Sequence, residues 1–172
     1  ESVGRLHDAR DRAFATHLAY DTVRWRGTLD WALAQVLSRD LADVEPALRT
    51  ILRLGALQLL RTSVPPRAAV DTSAALAREA VGRSRGRPAA GFVNGVLRAL
   101  ARRVDQLPWP DPDDDPVGAL ALRTAHPEWV VSDLLARFPW ERTRAILEAD
   151  NRAPGLTLRA TGDRDALVDE LR

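Results

Sequence analysis

The sequence of 172 residues contains neither cysteine nor lysine. Without cysteine the chain has no disulfide framework, no thiolate nucleophile and no cysteine-ligated metal. This absence is compatible with the reducing cytoplasm, where we expect the protein to act. No apolar run is long enough to cross a bilayer and no segment has the pattern of a signal peptide, so we expect no membrane partner.

All 25 basic residues are arginines, and they are unevenly distributed. Residues 1–104 hold 17 basic and 10 acidic side chains, a net charge of +7, whereas residues 105–172 hold 8 and 14, a net charge of −6. Such an asymmetry indicates a polyanion-binding face on the first part. Guanidinium groups suit that role because they bind phosphate through paired hydrogen bonds and stack on bases.

Apolar side chains recur at helical spacing from Asp8 to Trp25, which predicts the first helix. We expect Gly27 to end this helix. Thr28 is then placed to cap a second helix that runs to Leu37.

Three further helices are predicted in the first part of the chain. Pro46 opens the third helix, where Gly55 predicts a close contact with another helix. The Val-Pro-Pro sequence at 64–66 breaks that helix and leads into the fourth. Residues 82–88 are predicted to form a flexible basic loop, and the fifth helix is predicted to follow it.

The chain changes character after residue 104. Four prolines and four aspartates between Pro108 and Pro116 predict a linker. A solvated acidic linker is favoured over a calcium loop there, because the central glycine and the closing glutamate of such a loop are missing. Beyond the linker, the pattern predicts two short helices, a strand and a final helix, at 126–138, 140–151, 156–158 and 163–172.

The expected organisation is an all-α helical bundle over residues 1–104, a linker over 105–117 and a mainly helical extension over 118–172. The extension is expected to end in the start of an α/β element. Because the chain begins with Glu1 and ends inside a predicted helix, we expect it to be a segment of a longer protein.

Catalytic chemistry is not predicted for this chain. It has no pair of nucleophile and base at a recognisable spacing, and its three histidines are not spaced like the ligands of a shared metal. We therefore expect no catalytic residue, no cofactor site and no metal site. The histidines are at positions 7, 17 and 126.

Three of the five tryptophans are informative. Trp31 and Trp129 fit apolar stripes and are predicted to be core residues. Trp25 stands between Arg24 and Arg26, where it is interpreted either as a platform for stacking a base or as a ring packed against the bundle.

The arginines of the first part are the main candidates for binding. On charge alone, an RNA-binding face and an ordinary solvated surface are about equally supported. With Trp25, the candidate RNA-binding residues are Arg5, Arg10, Arg12, Arg24, Arg26, Arg83, Arg85, Arg87, Arg98, Arg102 and Arg103.

Several motifs occur in a recognisable order, at 19–26, 29–30, 54–60, 64–70 and 91–98. Together they resemble the N-terminal domain of the RsmB family (also called Sun or Fmu), whose members are 16S rRNA cytosine-5 methyltransferases dependent on S-adenosylmethionine. That domain is similar to NusB, an all-helical RNA-binding protein. The segments 126–130 and 148–159 resemble the region that leads to the methyltransferase domain.

The resemblance implies that this chain helps the parent enzyme to engage 16S rRNA and that it also contacts its own methyltransferase domain. The S-adenosylmethionine site and the catalytic cysteines of the parent are expected outside this chain. Arg67 stands where the family commonly has histidine, and Asp71-Thr72 where it has Asn-Glu, so the resemblance is weaker there. The alternative functions are a protein-interaction module and a transcription antitermination factor.

Overall fold

The structure, a computed structural model, describes residues 8–152 and 161–170, and all regular structure in these ranges is helical. The all-α expectation is therefore confirmed for the described residues. Their nine α-helices are α1 (Ala9–Arg24), α2 (Arg26–Ala34), α3 (Pro46–Arg61), α4 (Pro66–Ala80), α5 (Arg83–Ala101), α6 (Pro116–Thr124), α7 (Glu128–Arg137), α8 (Trp140–Asp150) and α9 (Arg164–Glu170).

Helices α1 to α5 pack around one apolar core. Its centre is made of leucines from α2, α3 and α5 that are fully buried, among them Leu33, Leu52 and Leu97. The predicted contact at Gly55 is confirmed, because a Cβ added there would meet the side chains of Leu97 and Ser73. Glycine at this position therefore lets α3 approach α4 and α5 closely.

The junction between α1 and α2 differs from the prediction. α1 ends at Arg24 and α2 begins at Arg26, so Gly27 lies inside α2 and ends no helix. Thr28 is not a cap but a buried residue of α2. The prediction was wrong because both residue types are frequent at helix ends, whereas here tertiary packing of Thr28 decides its place.

The predicted loop at 82–88 is also wrong, since α5 begins at Arg83 and continues through Pro88. Pro88 is the sixth residue of α5, so it removes one hydrogen bond within the helix, that to the Ser84 carbonyl, without ending the helix. Gly82, with φ of +76°, precedes the helix and makes the sharp turn from α4.

The Pro/Asp-rich segment is fixed to the bundle at its start. Leu107 is buried in the bundle core, and the Trp109 ring packs on the Trp31 ring at 4.5 Å between centroids. Residues 111–116 are exposed. Asp115 then caps α6, because its carboxylate accepts a hydrogen bond from the Gly118 N–H at 2.8 Å.

Helices α6, α7 and α8 form a smaller core around Leu120, Val131 and Leu147. Trp31 is half-buried against the bundle core, in keeping with its prediction, but the prediction for Trp129 is wrong because its side chain is 73% exposed. The apolar stripe of α7 that is buried is the one that contains Val131.

The end of α6 connects the extension to the bundle. Thr28 of α2 donates its hydroxyl hydrogen to the Leu122 carbonyl at 2.7 Å, and Asn151 donates its side-chain amide to the Thr124 carbonyl at 2.6 Å. Both carbonyls belong to the last turn of α6, where backbone carbonyls have no N–H donor within the helix. These two hydrogen bonds therefore satisfy the helix end while they hold neighbouring elements against it.

The predicted strand at 156–158 lies outside the described residues. The predicted final helix is present as α9 over Arg164–Glu170. Within the described ranges, no helix is long and apolar enough to span a membrane.

Candidate nucleic-acid interface

The candidate arginines do not form one patch. Arg5 and the side chain of Arg83 lie outside the described part of the structure. Arg10 and Arg12 lie at the start of α1 and Arg24 at its end, about 21 Å apart at 1.5 Å per residue. The length of α1 therefore keeps these arginines apart, although they are close in sequence.

Helix α5 separates its arginines in the same way. Arg85 and Arg87 are exposed on its first turns, where Arg85 forms an ion pair with Glu45 at 2.9 Å. Arg98 and Arg102 lie near the other end, about 20 Å away. The two groups cannot contact the same phosphate.

The junction of α1 and α2 carries Arg24 and Arg26, both exposed. Arg24 is already engaged, because it lies 3.6 Å from the Asp21 carboxylate and donates to the Asn151 carbonyl at 3.4 Å. This arginine therefore connects α1 with the end of α8.

Trp25 does not offer a free ring for stacking. Its side chain is 5% exposed, and the Arg61 guanidinium lies 3.7 Å above the ring centre. Of the two interpretations, the structure confirms the ring packed against the bundle, so the Trp25 ring is not available for stacking a base.

One group of arginines does converge. Arg98 and Arg102 stand four residues apart on α5, so they share a face, and Arg67 faces them from the first turn of α4. The three side chains line one open groove of about 500 Å³. Val70 and Ala101 supply its apolar floor.

The groove carries an excess of positive charge. Asp71 is its acidic lining residue, 3.6 Å from the Arg67 guanidinium, and both side chains are exposed to water. For the guanidinium groups of Arg98 and Arg102 there is no ion pair within the described part of the chain. Two of the three cations are therefore available to an anion.

Arg103 lies beside the groove. Its guanidinium donates to the Gln35 carbonyl at 3.0 Å, and Arg102 and Arg103 line a second depression of about 330 Å³ against the end of α2. The basic surface thus continues from α4 across the end of α5 towards α2.

The other candidate for chemistry, His126, lies apart from the groove. His126 lies 3.0 Å from the Thr124 hydroxyl and 3.9 Å from the Asp150 carboxylate, at the turn before α7. No group of three or more metal-ligating side chains occurs among the described residues.

Comparison with protein families agrees with the helical bundle. The model of the NusB family matches residues 3–102. The chain belongs to the NusB family. A second model, described as the ferredoxin-like domain of RsmF/B-like methyltransferases, matches residues 126–172. The resemblance predicted from the ordered motifs is confirmed by these two matches.

The relatives of this NusB-family chain include proteins of three bacteria. It is 41% identical over 159 residues to a Mycobacterium tuberculosis protein named "Putative methyltransferase Rv1407", covering 88% of this chain and 34% of the relative. It is 34% identical to ribosomal RNA small subunit methyltransferase B of Pseudomonas putida over 153 residues, covering 88% and 33%.

The protein of that name from Escherichia coli O1:K1 is 30% identical over 171 residues, covering 94% of this chain and 36% of the relative. The chain therefore spans about a third of the length of these relatives. No solved structure matches it.

Sequence reasoning missed Arg67 as a member of the groove. It was singled out only as a departure from the family pattern. Its partners Arg98 and Arg102 are 31 and 35 residues further along the chain. The available signal was the proline break at 64–66, which brings the start of α4 to the end of α5 when the two helices pack side by side.

Proposed function

We propose that this chain is the RNA-binding part of a methyltransferase that acts on 16S ribosomal RNA. The observation that carries the proposal is the convergence of Arg67, Arg98 and Arg102 on one groove at the end of the bundle. Phosphate contacts from arginines fix the position of an RNA strand without reading its sequence. The groove is open to solvent, as a surface that follows an RNA backbone must be.

The names of the relatives support the substrate and the reaction of the whole protein, since two of them are named ribosomal RNA small subunit methyltransferase B. The family resemblance further implies that the whole protein transfers a methyl group from S-adenosylmethionine to carbon 5 of a cytosine. We propose that the cofactor and the catalytic cysteines belong to another part of that protein, and that this chain binds and orients the RNA.

Fluorescence anisotropy with a labelled fragment of small-subunit rRNA tests the proposal. The triple variant Arg67→Gln, Arg98→Gln, Arg102→Gln is expected to bind at least about ten times more weakly than the wild type at 0.1 M salt, because phosphate contacts dominate such affinities. Far-UV circular dichroism establishes that the variant is folded.

The matched control replaces Arg137, Arg142 and Arg144 by glutamine, which removes the same charge from exposed positions of α7 and α8. This control is expected to bind almost as well as the wild type, since charges beyond about 10 Å are largely screened at 0.1 M salt. Absence of RNA binding by the wild type, or an equal loss in both triple variants, contradicts the proposal.

A second candidate function is docking of the methyltransferase domain of the same protein. The observation that favours it is an exposed apolar surface where α1 meets the extension: Tyr20 is 71% exposed and Val23 is 75% exposed. Val23 lines one depression together with Pro127 and Glu128. Trp129, which is also exposed, follows Glu128 in the sequence. Hydrophobic side chains exposed together are typical of protein interfaces.

Substitution of Val23 and Trp129 by serine distinguishes the two functions. If this surface docks a domain, the full-length protein loses the protection of α1 from hydrogen exchange, and RNA binding by the isolated chain is unchanged. Equal protection in wild type and variant contradicts docking at this surface.

A further inference from the structure

A small cleft lies between the NusB-family bundle and the extension. It has a volume of about 240 Å³ and is bounded by α2, the end of α3, Trp109 and the last turn of α6. The hydrogen bond from Thr28 to the Leu122 carbonyl joins its two walls. The cleft is therefore part of the folded arrangement of α2 and α6, and Trp109 of the Pro/Asp-rich segment completes it.

Two arginines line this cleft, one from each side. Arg61 is the last residue of α3, and Arg123 belongs to the last turn of α6. The described residues that line the cleft include no carboxylate. The cleft consequently holds two positive charges and no negative charge of its own.

Both guanidinium groups lie within cation–π distance of a tryptophan ring. Arg61 lies 3.7 Å from the centre of the Trp25 ring, and Arg123 lies 5.4 Å from the centre of the Trp109 ring. Stacking uses the flat face of a guanidinium and leaves the N–H groups at its edge available as donors. Neither guanidinium has a hydrogen bond or an ion pair within the described part of the chain.

The environment of Arg61 disfavours an uncompensated charge. Partial burial lowers the pKa of the Arg61 guanidinium, and the more distant Asp21 carboxylate opposes this effect. Asp21 is also engaged by His17 at 3.3 Å and by Arg24 at 3.6 Å. An anion that entered the cleft would offset the cost of desolvating Arg61.

The cleft lies at the same end of the bundle as the arginine groove. Arg61 ends α3 and Arg67 lies in the first turn of α4, so their Cα atoms are at most about 21 Å apart along the connecting chain. One RNA strand of a few nucleotides is long enough to reach both sites.

We propose that the cleft between Arg61 and Arg123 binds a phosphate group of the RNA, as a second contact beside the groove. Planar guanidinium groups match phosphate oxygens with paired hydrogen bonds. The two tryptophans keep these groups in place before RNA arrives. This inference rests on the proposed RNA-binding function, and it gives the start of the extension a part in binding.

The test measures binding of a labelled rRNA oligonucleotide to the wild type and to the double variant Arg61→Gln, Arg123→Gln. The double variant is expected to bind roughly ten times more weakly at low salt, with a salt slope that is smaller by about 0.7 for the one phosphate contact that is lost. The variant Arg61→Lys keeps the charge and loses the stacked fork, so its affinity is expected to lie between the two.

Arg142→Gln is the matched control, because Arg142 also stacks on an aromatic ring, that of Phe138 at 4.9 Å, and lies on α8 outside the cleft. Its RNA affinity is expected to equal that of the wild type. Thermal unfolding of every variant separates a loss of fold from a loss of binding, and Arg61→Lys provides the comparison if the double variant is unfolded.

A titration of the wild type with pyrophosphate, followed by tryptophan fluorescence, separates RNA phosphate from free phosphate. Binding of RNA by the wild type with no loss in the cleft variants overturns this inference and leaves the groove proposal standing. A response to pyrophosphate without RNA binding overturns RNA as the source of the phosphate. Absence of both responses overturns the inference and the proposed function together.

Discussion

Replacement of Thr28 by valine is expected to weaken the attachment of the extension to the bundle. The two side chains have nearly the same shape, so the substitution chiefly removes the hydroxyl group. That hydroxyl donates to the Leu122 carbonyl at 2.7 Å, and Thr28 is 3% exposed. Because this position is buried, a water molecule cannot easily take the place of the lost hydroxyl as a hydrogen-bond donor.

The magnitude follows from the two partners. A typical hydrogen bond contributes about 0.5–1.5 kcal/mol to stability, and a buried carbonyl left without a donor costs about 1–3 kcal/mol. Leu122 is only partly buried, so its carbonyl recovers some solvation in the variant. We expect Thr28→Val to lower the free energy of unfolding by about 1–2 kcal/mol.

Urea unfolding followed by far-UV circular dichroism measures this change as a shift in midpoint. Thr50→Val is the matched control, because the Thr50 hydroxyl donates to the Pro46 carbonyl at 3.0 Å on the exposed face of α3. Its effect is expected to stay within about 0.5 kcal/mol. A loss in Thr28→Val no larger than that of the control would refute the role of this hydrogen bond.

Three other positions give stability predictions, one of a loss and two of a gain. Gly55→Leu is expected to lower the free energy of unfolding by about 1–3 kcal/mol, because the new side chain meets Leu97 and Ser73. Gly95→Ala, where a Cβ meets open space, is expected to raise it by about 0.5–1 kcal/mol in the same urea assay. Ser73→Ala is expected to raise it by about 1 kcal/mol, since this buried hydroxyl has no hydrogen-bond partner among the described residues. A lower melting temperature of Ser73→Ala in calorimetry would contradict that expectation.

The helices of the bundle were predictable because apolar spacing and prolines are local signals. Pro46 opens α3 as expected, and Gly55 was correctly interpreted as a close helix contact. The errors lie where packing overrides a local preference. Thr28 looked like a cap, but its hydroxyl serves the end of a helix 94 residues away in sequence.

The candidate site was less predictable for the same reason. Proximity in sequence grouped Arg85 and Arg87 with Arg98, whereas α5 holds them about 20 Å apart. The groove instead joins Arg98 to Arg67, which only the pairing of α4 with α5 brings near. The charged neighbours of Trp25 left two interpretations of its ring open, and the contact that decides between them comes from Arg61 on another helix.

The salt dependence of RNA binding tests the central claim most directly. For single-stranded RNA, the slope of log affinity against log salt changes by about 0.7 for each phosphate contact that is lost. Because two of the three guanidinium groups are available to an anion, the triple variant Arg67→Gln, Arg98→Gln, Arg102→Gln is expected to have a slope smaller in magnitude by about 1.4 than the wild type. An unchanged slope in this variant would contradict the assignment of the groove as the RNA-binding surface.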